Sequence, residues 1–236
     1  MVAEQQKLHR SRFDILDAWR TLAIVLMAAY HFLYDLALFG VITWERMFST
    51  PLNILERFIC CSFILLAGAS ARFSRSNLRR GLIVLAAAVV VELGAAVAGQ
   101  TIRFGVLMLL GWSMVFYHFT GKLLRKLPGP ALAVSALVLF FLTDWWTGVT
   151  PVSVPWLYPL GFTAPGFSSA DYFPLLPWHF LFLLGTVLGG WCLGHREHRL
   201  LQAKLPAALT WCGRHSLIIY VLHQPVLYGV SYLIWG

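Results

Sequence analysis

The chain has 236 residues, 59% hydrophobic and 12% charged, with a net charge of +8 and a mean hydropathy of +0.72. A soluble domain carries about 25% charged residues, so this apolar excess cannot be hidden in one water-soluble core. The composition excludes an ordinary soluble protein and predicts an all-α, polytopic membrane protein.

Residues 1–13 are polar and basic, with Lys7, Arg10 and Arg12, and read as a cytoplasmic N-terminal segment. A long apolar run follows without a small-residue cleavage site, so no cleavable signal is expected. Residues 14–236 are expected to form a single transmembrane domain.

The first predicted span, 14–38, opens with alternating charges at Arg12, Asp14, Asp17 and Arg20. It then runs apolar and places His31 and Asp35 four residues apart, on one helix face. A carboxylate there can orient an imidazole and stabilise its protonated form. Ionisable groups inside a membrane helix are costly and mark function by default; such a pair can also merely tie helices together. Spacing alone leaves both readings open. For Arg20, Asp17 at i−3 is the simplest partner.

Six further spans follow, at about 52–71, 81–98, 103–120, 130–147, 174–194 and 208–233, each near the ~20 residues that cross a bilayer. Alternate connections carry the basic residues: Arg72, Arg75, Arg79 and Arg80; then Lys122, Arg125 and Lys126; then Arg196, Arg199 and Lys204. The intervening ones hold only Arg46 and Arg103. This asymmetry predicts seven transmembrane helices, a cytoplasmic N-terminus and an outer C-terminus. It also explains the net charge without nucleic acid, and clustered arginines can contact anionic membrane lipids. The outer connection 148–173 is the longest and is rich in Pro, Gly and aromatic residues. Glu92, mid-way along the third span, is either protonated or paired with Arg57 or Arg103. Cys60, Cys61, Cys192 and Cys212 show neither metal-ligand spacing nor a disulfide framework, and no metal is expected.

At 1.5 Å per residue, His31 lies roughly 25 Å from Asp14, and His223 about 22 Å from the start of the last span. His31, Asp35 and His223 can therefore share a layer near the outer face. Arg20, Arg214 and His215 fall in a layer near the cytoplasm.

Four stretches carry a family likeness: LDAWRTLAIVLMAAYHFLYDL at 16–36, AGASARFSRSNLRRG at 67–81, SADYFPLLPWHFLFLLGTVLG at 169–189 and RHSLIIYVLHQPVL at 214–227. In this order they resemble the heparan-alpha-glucosaminide N-acetyltransferase catalytic-domain family, especially its small bacterial members. The first span also resembles that of the broader acyltransferase-3 proteins. The resemblance implies a multi-span enzyme, in a bacterial cytoplasmic membrane, that acetylates an acceptor at the outer face with cytoplasmic acetyl-CoA. The acceptor it implies is a carbohydrate amine or hydroxyl. Three positions depart from the pattern. Thr21 stands where the family usually has Gly, which puts a close helix approach in question. Met108 stands where many bacterial members have His. Residues 39–60 contain no His, so the active histidine of the lysosomal enzyme, and its heparan substrate, are not carried over.

On this reading His31, Asp35 and His223 are the candidate catalytic residues. An imidazole near pKa 6.5 can take a proton from the attacking acceptor, or His31 can itself carry the acetyl group. The candidate donor-binding residues are Arg20, Arg72, Asn77, Arg79, Arg80 and His215, since arginine forks suit phosphates. Asp171, Tyr172, Trp178 and Gln224 are the candidate acceptor-binding residues. A homodimer is left open. The competing classes are a solute or lipid transporter that relays protons through His and Asp, and a non-enzymatic membrane subunit; the absence of an internal repeat weighs against the transporter.

Overall fold

Inside a bilayer the backbone has no water to bond, and a helix satisfies its own N–H and C=O groups. The apolar runs accordingly form helices. The structure, a computed structural model, describes residues 13–236, so Lys7, Arg10 and Arg12 lie outside the described residues. Helix α1 spans Asp14–Leu38, with Asp14 and Asp17 in the first turn, where carboxylates favour the helix dipole. The short α2, Trp44–Met47, leads into α3, Thr50–Phe73. Then come α4 (Asn77–Val97), α5 (Val106–Leu124) and α6 (Gly129–Val149). A 3-10 turn at Pro155–Leu160 lies in the long connection to α7, Leu175–Gly194. The chain ends with α8 (Arg199–Gln202), α9 (Ala207–Arg214) and α10 (Ser216–Trp235).

Helices α1, α3, α4, α6, α7 and α10 are each long and apolar enough to cross a membrane. The expected fourth span is α5. Trp112, Ser113, Tyr117, His118 and Lys122 interrupt its apolar run, and its neighbours enclose it, burying Leu109, Met114 and Tyr117. The expected last span is two helices, α9 and α10, that meet at His215. Just before this break, α9 is bonded to α1. The Thr21 hydroxyl accepts from Gly213 N at 2.9 Å and lies 2.6 Å from the Leu209 carbonyl, to which it can donate. Its single proton has a second acceptor in Asp17 O, at 3.0 Å. A side chain that shares an N–H and the carbonyl four residues earlier competes with that rung of the helix. The close approach in question at Thr21 does occur; the glycine is on the other side. A Cβ on Gly213 would run into the backbone carbonyl of Asp17.

The tightest seam lies between α3 and α7. A Cβ on Gly68 would meet the Phe182 carbonyl, one on Gly185 the Leu65 carbonyl, and one on Gly189 the Ala69 carbonyl. Such small-residue stripes let helices approach backbone to backbone, which supplies packing where lipid offers no hydrophobic drive. Around this pair Ile64, Leu109, Tyr117 and Phe182 form the buried core. Helix α1 packs on α3, α9 and α10, and α10 also touches α4.

The outer connection is pinned where Asp171 Oδ2 accepts from Val106 N at 3.0 Å, capping α5 from outside. Burial pushes the Asp171 carboxyl up to about 6 from an ordinary 3.8; the Val106 N–H opposes this, and nearby Glu56 and Glu92 add to it.

Two predictions follow from these contacts. Gly185→Leu should lower the thermal unfolding midpoint in detergent by several degrees or more, since overpacking costs about 1–3 kcal/mol. Gly94→Ala, where an added Cβ meets nothing within 4 Å, should leave the midpoint unchanged or raise it slightly. A raised carboxyl pKa gives stability that is complete below the unfolded value and lost as pH rises through the folded one. For Asp171 that window runs from about 4 to about 6. Midpoints measured from pH 4 to pH 8 should fall across it, and Asp171→Asn should flatten that fall.

Candidate active site

Helices α1 and α10 build the site. On α10, the adjacent His223 and Gln224 both reach α1. The His31 and His223 rings meet edge to face, with centroids 4.9 Å apart at 82°. The two histidines expected to share a layer are therefore in contact. The agreement in depth survives the break at His215 because α9 and α10 both pack on α1.

A carbonyl can only accept, so the 2.7 Å contact between His223 Nδ1 and Tyr220 O requires a proton on Nδ1. In the neutral ring the lone pair then sits on Nε2, which is buried without a protein partner. The backbone thus selects one tautomer of His223 and leaves its basic nitrogen free.

Asp35 is completely buried, but it does not hold His31. Its Oδ1 accepts from Gln224 Nε2 at 2.8 Å, and Oδ2 has no protein partner. Sharing a helix face allowed a His31–Asp35 bond; the amide from α10 takes the carboxylate instead. Gln224, expected to touch acceptor, is instead tied from α10 to Asp35 of α1.

Next to His223 stands Tyr220, with ring centroids 5.5 Å apart. Tyr220 lines a cavity of about 10 Å³, room for one water, together with Glu92, Met108 and Asp171. Neither Arg57 nor Arg103 pairs with Glu92. Its carboxyl faces the backbone N–H groups of Phe104 and Gly105. Met108, the position of the family histidine, shares this cavity.

Of the expected acceptor residues, Asp171 reaches the cavity but is committed to the cap of α5. Tyr172 donates to Tyr158 O at 2.7 Å and packs on Phe167. Trp178 packs on Phe140 and Phe173. These two aromatics order the outer connection.

The expected donor residues divide in the same way. Arg20 pairs with Asp17 at 2.9 Å, as the i−3 spacing predicts. It also donates to Ser70 Oγ at 2.6 Å and to the carbonyls of Leu66 and Gly213. Its guanidinium thus ties α1 to α3 and α9. Buried Asn77 donates to Ala71 O at 3.0 Å and closes the α3–α4 turn. Arg80 donates to Ser70 O at 3.3 Å, which brings it to the same residue as Arg20. Arg72 lies along Gly190 of α7. Exposed Arg79 borders an open groove of about 440 Å³ between α4 and α5, with His118 on its other wall. His215 is exposed and rests on Trp211, with ring centroids 4.5 Å apart. Arg72, Arg79, Arg80 and His215 occupy the basic end of the bundle but do not converge on one pocket.

Two features escaped the sequence reading. Tyr220 carried a family match but no role of its own; only its neighbours His223, Glu92 and Asp171 give it one. His179 sits in an apolar run with no charged residue one turn away. Its partner, Ser113 Oγ at 3.0 Å, comes from α5, which no local spacing could have signalled.

A family model described as heparan-alpha-glucosaminide N-acetyltransferase, catalytic, matches residues 12–225. Among curated proteins and among solved structures nothing matches. The matched stretch takes in α1 through α9 and the histidine pair, within a bundle of membrane-crossing helices. The chain is an integral membrane protein of the acetyltransferase type, and it belongs to the heparan-alpha-glucosaminide N-acetyltransferase catalytic family.

Proposed function

We propose that this protein transfers an acetyl group from cytoplasmic acetyl-CoA to an amine or hydroxyl of a carbohydrate acceptor at the outer face of a bacterial cytoplasmic membrane. The observation that carries this reading is the half-buried His31–His223 contact with a free, tautomer-fixed Nε2 on His223. A base needs an unprotonated nitrogen within reach of the proton it takes. His223 supplies one.

Acetyl-CoA brings the reactive thioester. His223 Nε2 accepts the proton of the attacking acceptor as its oxygen or nitrogen bonds to the acetyl carbonyl carbon. The carbon–sulfur bond then breaks, and His223 returns that proton to the departing thiolate. His31 flanks the reacting group from the other side. The exposed Arg75, Arg79 and Arg80 suit the donor's phosphates, Arg80 from beside Ser70; the half-buried Arg20 and buried Asn77 hold the scaffold. Along α1, Arg20 and His31 are eleven residues apart, roughly 16 Å. An extended donor arm would bridge that distance. The direction of transfer rests on the basic connections that follow α3, α5 and α7, which share one side of the membrane when α5 crosses along with the six apolar helices.

Three measurements check this reading. Reporter fusions at residues 125 and 160 should signal opposite sides of the membrane, with 125 cytoplasmic; the same side for both would end the topology. Acetyl-CoA should raise the unfolding midpoint of the detergent-purified protein. Arg79→Glu with Arg80→Glu should abolish that rise, and His223→Ala should preserve it. Turnover in His223→Ala should fall by about 10²–10⁴-fold. Near-normal turnover there, with loss in His31→Ala, would move the base to His31.

A further inference from the structure

The mechanism above gives Gln224 no task, yet its amide is held by the fully buried Asp35. A carboxylate has no proton to give, so Asp35 obliges Gln224 to present its NH₂, and Nε2 donates at 2.8 Å. The orientation of the amide is then fixed, and Oε1 must face the other way. That oxygen is buried and has no protein partner within bonding distance. The Gln224 amide lies within reach of the imidazole of His31, the residue already in contact with His223. Catalytic hydrogen bonds that are long in an unliganded site commonly tighten when the substrate binds.

We propose that Asp35 and Gln224 form a positioning unit that decides which nitrogen of His31 carries the proton. Asp35 turns the amide, and the amide oxygen receives the His31 N–H. The opposite ring nitrogen keeps its lone pair. Asp35 thus governs an imidazole that it does not touch. Gln224 is a positioning residue rather than a contact for acceptor. The proposal rests on the acetyltransferase reading only in giving His31 a place beside the reacting group; the tautomer itself can be measured without turnover.

The experiment labels the histidine rings with ¹⁵N in the full-length protein in lipid nanodiscs and reads the His31 tautomer from ring couplings, beside an acetyl-transfer assay. The native protein should show one His31 tautomer. Asp35→Asn makes an amide face an amide, and such a pair can bond either way round. That variant should show both tautomers and lose roughly tenfold or more in turnover. Gln224→Leu should do the same. Exchanging the two groups, with Asp35→Asn and Gln224→Glu together, restores a donor opposite an acceptor. This double variant should recover a single tautomer and exceed either single variant in turnover. A mixed tautomer in the native protein would overturn the proposal. So would a single, unchanged tautomer in Gln224→Leu or in Asp35→Asn. If no acetyl transfer is seen even in the native protein, the enzymatic reading fails, and the ring couplings still decide the positioning unit.

Discussion

Two backbones in van der Waals contact, α3 against α7, set the geometry of everything around them. Carbonyls of Leu65, Ala69 and Phe182 stand where side chains at Gly185, Gly189 and Gly68 would otherwise be. Lipid tails are as apolar as leucine, so association within a bilayer depends on such close packing rather than on escape from water. With α3 fixed in this way, its Leu66 carbonyl and Ser70 hydroxyl become the anchor for Arg20. Trp19 adds a second tie, donating to Ser62 Oγ at 3.2 Å. Helix α1 is thereby held against the central pair, and the histidine that it carries is held with it.

A buried guanidinium is expensive unless every direction it faces is satisfied. Arg20 meets that condition with the Asp17 carboxylate, a hydroxyl and two carbonyls. This end of the bundle is therefore densely cross-linked around Arg20, while Asp17 Oδ2 and Asn77 Oδ1 accept no hydrogen bond there. Eleven residues further along α1 the situation reverses. Asp35 Oδ2, Gln224 Oε1 and His223 Nε2 are buried and without partners. All three are acceptors when His223 has its proton on Nδ1.

The family likeness and the geometry bear on different questions. The likeness sets the reaction class and the order of the motifs. It does not say which matched residues touch a ligand. Here the structure separates residues that hold the bundle, among them Arg20, Asn77, Tyr172 and Trp178, from those with a free functional atom, chiefly His223. A matched residue can be retained for either reason.

The sequence by itself determined the helices and their order. Hydrocarbon admits only internally bonded backbone, so an apolar run of the right length has one outcome. Six of the seven expected spans coincide with single helices to within a few residues. The i−3 spacing of Asp17 and Arg20 was legible for the same reason, since both partners lie within one helix turn. The split of the last span was not legible. The first of its two pieces is instead tied to α1 by the Thr21 hydroxyl, which bonds at Leu209 and Gly213. Nor was the partner of Asp35, because His31 at i−4 and Gln224, 189 positions away, are equally good partners until the helices dock. Periodicity fixes which face of a helix a residue occupies. Only the packing of α1 against α10 decided what stood opposite that face, because the competing hydrogen bonds are of similar strength and proximity alone chooses between them.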